Sequence, residues 1–539
     1  MLIGVVDMGS NAVRFTVTDL SSPHTARNLP TLYQDRAKIS LYDALSSSSD
    51  RRIPRLVIER LQVSLRRYDV VCRALGVRSE NVSVFGTEAS RTAANSGELL
   101  QAIKAVNDKW SVSLLAQGME AKYGALGIAA SNHEINGVVM DLGGGSIQVS
   151  WVSTLGGKLS ISETAVSLPY GAAALSVKLA KTKSHSEVRS ELIKAFASAL
   201  RRIEPPFSLK GANLYLSGGG FRALGCFAMS ILSDDEYYPV PIVNGYRCSL
   251  KDLDKVTQRQ INEQIAGRLE DMFRISKRRA SQLPSIFFLM QALISAAPAL
   301  GSAYFCQGGT KEGYLYSKLS DSVKFKDPLL CSSIEYATPA SEKIATLLDF
   351  AMSAFTPAYI TKRIAPTIAN LLYVHGSYSK DTQATAALNF AITGPLAKAF
   401  GLSHVDRALI GIILCERWGG DVFDERVLGR LCSLVVSESR GSLGYTYMFW
   451  GYYIAKLGTV LAELFPAGIA DGGGSSRVKI GVVKDEVDVM IVEMIFAGDD
   501  PLRLASWDKI EGLEKAIRKF KKRYDVSKVP VISFRTKVV

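Results

Sequence analysis

The chain has 539 residues, enough for roughly three or four domains with cores of their own. Its 47% apolar and 21% charged content excludes a disordered or fibrous protein. The net charge of +13 is spread along the chain, so it favours anionic partners without choosing among phosphate ligands, acidic proteins, nucleic acid and membrane. Seven scattered cysteines, an odd count with no C-x-x-C pair, read as reduced thiols in a cytoplasmic or nuclear protein and not as a disulfide scaffold. No zinc-finger, basic-zipper or RNA-binding aromatic motif marks a nucleic-acid reader. The most apolar stretch, 283–300, contains Pro284, Gln291 and Pro298 and reads as a buried core helix, not a membrane span. The first residues begin a strand at once, so no signal peptide is expected.

In chain order, residues 1–20 hold Gly4-Val-Val-Asp-Met-Gly-Ser-Asn-Ala-Val-Arg-Phe-Thr-Val17. That is an apolar strand, Asp7 at its end, a turn at Gly9, and an alternating strand. Residues 21–50 read as loop. A helix is expected over 53–75, with Leu56, Leu61, Leu65 and Val70 as its apolar positions. A strand at 81–85 empties into Gly86-Thr-Glu-Ala-Ser-Arg91, with a helix from near Thr92. A strand-to-helix turn is a ready anion site, and Thr87 and Arg91 are placed to aim at phosphate. The alternative is that Thr87 caps the helix and Arg91 is solvated. After a short strand at 111–115, Gly118-Met-Glu-Ala-Lys122 opens a helix with Glu120 in its first turn. Glu120 is either a dipole-favoured helix-start acid or, being just ahead of the next hairpin, a general base.

That hairpin, Gly137-Val-Val-Met-Asp-Leu-Gly-Gly-Gly-Ser-Ile-Gln-Val-Ser-Trp151, repeats the first. Asp141 matches Asp7, and Gly143 matches Gly9. Glycine lets the main chain approach a ligand, and successive exposed N–H groups form an anion nest. An Asp beside each nest suits Mg²⁺. Two facing tips would make a phosphate clamp. Further on, Leu214-Tyr-Leu-Ser-Gly-Gly-Gly-Phe221 runs into Gly218, Gly219 and Gly220, whose backbone either touches a nucleotide or merely turns into a helix. Helices are expected over 251–300, where Ser276-Lys-Arg-Arg279 reads as a solvated basic face. Phe305-Cys-Gln-Gly-Gly-Thr-Lys-Glu-Gly313 reads as strand, turn and helix. From 335 to 465 the pattern is helical, and His375 and His404 lack the spacing of a metal pair. Residues 466–476 read as a Gly-rich linker. Residues 477–539 read as strand, strand, helix and strand. That helix carries Lys515, Arg518, Lys519, Lys521, Lys522 and Arg523, either a solvated face or a surface for an acidic partner.

The motifs Asp7-Met-Gly-Ser-Asn-Ala-Val-Arg14, Gly86-Thr-Glu-Ala-Ser-Arg91 with Asn95, Gly118-Met-Glu-Ala, Asp141-Leu-Gly-Gly-Gly-Ser146 and Gly308-Gly-Thr-Lys-Glu-Gly313 resemble, in order and spacing, those of the exopolyphosphatase and guanosine pentaphosphate phosphohydrolase (Ppx/GppA) family. The resemblance covers about residues 1–320. It implies an α/β fold of two actin-like ATPase (ribonuclease H-like) lobes, 1–130 and 131–325. An all-α domain (335–465) and a small α+β domain (477–539) would follow. The later part looks like that of a fungal regulatory branch in mitochondria-to-nucleus signalling. By resemblance, Asp7 and Asp141 are the acids around Mg²⁺. Ser10, Asn11, Gly143, Gly144, Gly145 and Ser146 belong to the phosphate loops, Arg14 and Arg91 contact phosphate, and Glu120 activates the attacking water. Two positions depart from the family: Gln148 stands where it usually has Glu, and Met119 where a second Glu is common. A neutral amide supplies no carboxylate, so phosphate binding is expected to survive better than hydrolysis.

The expected function is a cytoplasmic regulator that binds Mg-nucleotide (ATP- or GTP-like), pppGpp or polyphosphate and acts through partner proteins. The alternative is an active exopolyphosphatase or pppGpp phosphohydrolase. A sugar- or acetate-type kinase is the weaker third reading. The family often forms homodimers, though no stretch here marks an interface.

Overall fold

The computed structural model describes residues 1–9, 12–233, 238–262, 275–439, 441–469, 477–498, 503–524, 526 and 529–539, apart from the side chains of 259–262, 503–508 and 511. Two compact units emerge: Met1–Tyr237 with Val243–Lys326, and Tyr238–Ile242 with Asp327–Val539.

The first unit holds two sheets on one plan. In the first, β1 (Leu2–Met8), β2 (Val13–Asp19) and β3 (Thr31–Ala37) form an antiparallel meander. β4 (Val82–Gly86) and β5 (Ser111–Leu114) add in parallel, giving the order β3-β2-β1-β4-β5. In the second, β6 (Asn136–Leu142), β7 (Ile147–Ser153) and the short β8 (Ser160–Ile161) form the antiparallel side, with β9 (Val166–Leu168) also on β7. β10 (Asn213–Ser217) and β12 (Ser302–Phe305) extend it in parallel, and β11 (Arg247–Ser249) closes the edge. β1 and β6 are central strands covered on both faces, which explains their unbroken Val-rich runs.

Helices cover these sheets: α1 (Arg55–Ala74), α2 (Glu88–Thr92), α3 (Gln117–Ala130), α4 (Ala172–Lys181), α5 (Gly219–Ile231), α6 (Leu283–Ala296) and α7 (Thr310–Ser317). α1 buries Ile58, Leu61, Leu65, Tyr68 and Cys72 against β2, where Phe15 stacks on Tyr68 at 4.4 Å. Leu56 and Val70, expected in that stripe, are exposed, because they fall outside the three-and-four spacing that faces the sheet. α3 and α7 meet where side chains are impossible. A Cβ on Gly313 would lie 1.7 Å from the Tyr123 carbonyl oxygen, and one on Gly127 would lie 2.1 Å from that of Gly309. This contact joins the two sheets through a core containing Val5, Phe85, Ala125, Val139, Tyr215 and Leu315.

Two local expectations change. Residues 21–50 are not all loop, since they contain β3 and a short helix, Leu41–Ser46. The helix after Gly86 starts at Glu88, not near Thr92.

In the second unit, α8 (His404–Arg417), α9 (Ser442–Leu464) and shorter helices surround one apolar core. Buried Arg407 donates to the carbonyls of Ala391 (2.8 Å) and Ala399 (2.9 Å), tying down the chain that leads into α8. His404 is also buried, its ring bonded to the Tyr238 hydroxyl and the Ile242 carbonyl, both at 2.7 Å. β13 (Val478–Asp485), β14 (Val489–Phe496) and β15 (Val531–Val538) form a sheet in the order β13-β14-β15, with α10 (Arg503–Arg523) crossing between the parallel β14 and β15. Met490, Val492, Met494 and Phe496 alternate inward and share the core of Trp450, Tyr453 and Leu457. Of the expected Gly-rich linker, 470–476 lie outside the described residues.

Candidate functional site

Each hairpin sets its acid by register. Asp7 stands opposite Arg14, and Asp141 opposite Gln148. Both acids line one cleft of about 680 Å³ in the first unit, walled also by Arg14, Arg36, Gly218, Gly219, Arg222, Arg279, Lys311 and Glu312. Burial pushes the Asp7 carboxyl above its usual range, with Arg14 opposing and Glu312 adding to the rise. Burial likewise raises Asp141 to about 6, opposed by Arg14 and reinforced by Asp7. Asp7 Oδ1 is buried with no hydrogen-bond partner among the described residues. Glu312 behaves differently. Burial pushes it up, but Lys311, at 3.1 Å, and the Gly309 N–H, at 3.0 Å, hold it below 4.5.

An orphaned buried carboxylate oxygen beside a second carboxylate is a site that favours a cation. Among the described residues no three His, Cys, Asp or Glu side chains converge as a metal cage. Mg²⁺ suits a two-carboxylate site, since it keeps waters and takes its remaining oxygens from phosphates. The donors present therefore fit Mg²⁺ held by Asp7 and Asp141.

The cations of the cleft repel one another. Burial lowers Arg279 to about 10, and Arg222, Arg14 and Arg36 lower it further. Arg36 is lowered by burial and then by Arg14, Arg278 and Arg222. Like charges gathered in a partly buried wall are relieved by an anion, and guanidinium forks match phosphate oxygens. Arg36, Arg222 and Arg279 carry no motif that marks them in the sequence. Arg36 sits on the unforeseen β3. Arg279, read as solvated, instead faces the cleft, 3.1 Å from where a Gly219 Cβ would lie. Its neighbour Arg278 takes the surface role, paired with Asp43 at 2.9 Å.

The triple-glycine tip is anchored by its carbonyls. Those of Gly143, Gly144 and Gly145 accept from the N–H groups of Ala172, Ala173 and Gly171 at 3.0, 2.9 and 3.0 Å, at the start of α4. In a planar trans peptide the following N–H points the opposite way, so the N–H groups of Gly144, Gly145 and Ser146 face away from α4. Gln148 Nε2 donates to Ser146 Oγ at 2.9 Å. Gly218 has φ +96°, and a Cβ there would lie 2.7 Å from Asp141 Oδ1, so the turn needs glycine. Gly220 does not line the cleft. A Cβ there would strike Leu142 Cδ2 at 2.5 Å, so this glycine serves packing.

Glu120 and Arg91 act as a pair. Arg91 Nη1 donates to Glu120 Oε2 at 3.1 Å and also to the Leu115 carbonyl. Arg91 is thus partly buried and paired with Glu120 through Nη1 rather than solvated. Burial raises Glu120 to about 7, Arg91 opposes, and Asp141 and Glu88 add to the rise. Thr87 is buried, with its hydroxyl donating to the Met8 carbonyl at 3.3 Å and no capping bond, so it neither caps α2 nor faces the cleft. A Cβ on Gly9 would meet the Ala12 carbonyl oxygen first, at 3.4 Å. Ser10 and Asn11 lie outside the described residues.

Paired acids, an arginine wall and the backbone of Gly218, Gly219 and Gly309 line one cleft, whereas Gly9, Gly143, Gly144, Gly145, Ser146, Gln148, Arg91 and Glu120 are not part of its lining. The Ppx/GppA phosphatase family matches residues 20–322, and the chain belongs to that family. Residues 327–525 match the RTG2 C-terminal domain. Over 537 residues, 96% of this chain and 90% of the relative, it is 33% identical to retrograde regulation protein 2 of Saccharomyces cerevisiae. Among solved structures, a Ppx/GppA family member of Aquifex aeolicus is 20% identical, with a TM-score of 0.47 over 59% of this chain and 97% of its own. An exopolyphosphatase of Cytophaga hutchinsonii is 19% identical, with a TM-score of 0.46 over 59% and 97%.

Proposed function

We propose that this protein is a regulatory receptor for a Mg-nucleotide or polyphosphate, acting through partner proteins in mitochondria-to-nucleus retrograde signalling in the cytoplasm. The observation that carries the reading is the cleft itself. Mutually repelling Arg14, Arg36, Arg222 and Arg279 face the carboxylates of Asp7 and Asp141, a distribution suited to a phosphate chain and its magnesium. Gln148 supports regulation over turnover, because an amide on Ser146 adds no negative charge toward metal or water. Ligand occupancy would shift the equilibrium between lobe arrangements, and a partner would read the difference. No helix among the described residues is long and apolar enough to cross a membrane.

The second reading is a phosphohydrolase, and Glu120 favours it. A carboxyl raised to about 7 is matched to taking a proton near neutral pH. Arg91 would orient that carboxylate toward a water in line with a terminal phosphorus. The arginines and the N–H groups of the Gly143–Ser146 turn would hold the equatorial oxygens. Mg²⁺, when bound by Asp7 and Asp141, supplies charge neutralisation on the phosphates.

Phosphate release from ATP, pppGpp and polyphosphate separates the two. Binding without release in wild type supports the receptor. Release that disappears in Glu120→Ala supports the hydrolase, and absence of both binding and release removes both readings.

A further inference from the structure

The second unit carries a charged feature that the cleft does not use. Between the last turns of α10 and the start of β15 lies a groove of about 360 Å³, lined by Ile517, Arg518, Lys521, Lys522, Val526, Pro530, Val531 and Ile532. Its floor is apolar. Ile517, Val526 and Ile532 are buried, and Val531 stands 39% exposed at the lip. Its rim is basic. Lys521 is held in place by donating to the Val529 carbonyl at 2.6 Å. Arg518 pairs along the helix with Glu514 but stays 60% exposed. Lys515, Lys519, Lys522 and Arg523 are exposed on the same stretch of helix. β15 is the outermost strand, so among the described residues its far edge is paired to no strand. One of its N–H groups, that of Phe534, already meets a carboxylate, Glu514 Oε2 at 3.4 Å.

We infer that this groove docks an extended acidic segment of a partner protein, studded with apolar side chains. Alternate side chains of a strand point to opposite sides. Apolar residues of the segment would fill the floor beside Val531, while its Asp and Glu residues lie along Arg518 and Lys522. Strand addition to an open edge supplies main-chain hydrogen bonds, with pockets giving specificity. Nucleic acid fits less well, since among the described residues no aromatic ring lines the groove for base stacking. An anionic membrane fits less well because the apolar surface is recessed below a charged helix rim rather than presented on an exposed amphipathic face.

The test uses the full chain and fluorescence anisotropy. The probes are labelled peptides of about 12 residues alternating Asp or Glu with Leu, Ile or Phe, the same peptides with Lys for each acid, an unstructured single-stranded RNA of similar length, and phosphatidylserine vesicles. The acidic peptides are expected to bind and the lysine peptides not. Arg518→Glu with Lys522→Glu should weaken acidic-peptide binding by about tenfold or more, and Val531→Asp should weaken it independently. Lys522→Gln, a mild surface change, guards against a folding artefact and should show a smaller loss. Failure of every acidic peptide to bind, affinity unmoved by charge reversal, or tighter binding of RNA or vesicles would overturn the inference.

Discussion

Replacing Glu120 by Gln is expected to change how the stability of the first unit depends on pH. In the native unit burial holds the Glu120 carboxyl at about 7, against 4.5 for the free group. Between these values the folded state binds a proton that the unfolded state has lost. Stability from this group is therefore fully present below 4.5 and declines as pH rises through 7. Each pH unit in that window is worth ~1.4 kcal/mol, so wild type loses about 2.5 kcal/mol between pH 5 and pH 8 on this account. Gln has the same shape, can accept from Arg91 and never ionises, so Glu120→Gln should lack that loss and be the more stable protein at pH 8. Hydrogen exchange of β4 and α3 amides at the two pH values, corrected for intrinsic rates, reads the difference. Identical pH dependence in both proteins would show that Glu120 is not desolvated, and the assignment of a poised base would fall with it.

Other substitutions probe different parts of the account. Gly313→Ala places a Cβ 1.7 Å from the Tyr123 carbonyl oxygen and should destabilise the first unit by about 3 kcal/mol or more, seen as loss of thermal stability. Arg279→Ala removes a guanidinium fork from the wall and should weaken polyphosphate binding by about tenfold to thirtyfold, while flattening its salt dependence. Gln148→Glu restores a carboxylate beside Ser146 and should raise phosphate release from ATP or polyphosphate in a malachite-green assay. Unchanged release would mean that the missing carboxylate is not what limits turnover.

The hairpins were legible because their signals are local. Period-two alternation, a terminal Asp and turn glycines all lie within about a dozen adjacent residues. The α3–α7 crossing was not, because the need for Gly127 and Gly313 exists only once the two helices touch. β3 escaped because it is an edge strand with Leu32 and Tyr33 exposed, so no apolar alternation marks it; Arg36 was missed with it. Arg278 and Arg279 are indistinguishable as neighbours in a basic run, yet one pairs with Asp43 and the other enters the cleft. Thr87 and Arg91 lie in the turn that the sequence marks, but their partners within the protein are distant in the chain. Sequence shows that a hydroxyl and a guanidinium are present, and only the fold shows that the Met8 carbonyl accepts from the one and Glu120 from the other.

The most direct test is calorimetric titration of the full chain with Mg-ATP and with polyphosphate, in wild type and Asp7→Ala. The account predicts saturable binding of at least one ligand by wild type and its loss in Asp7→Ala, with the protein still folded. Equal binding by the two proteins would place the ligand elsewhere and contradict the cleft.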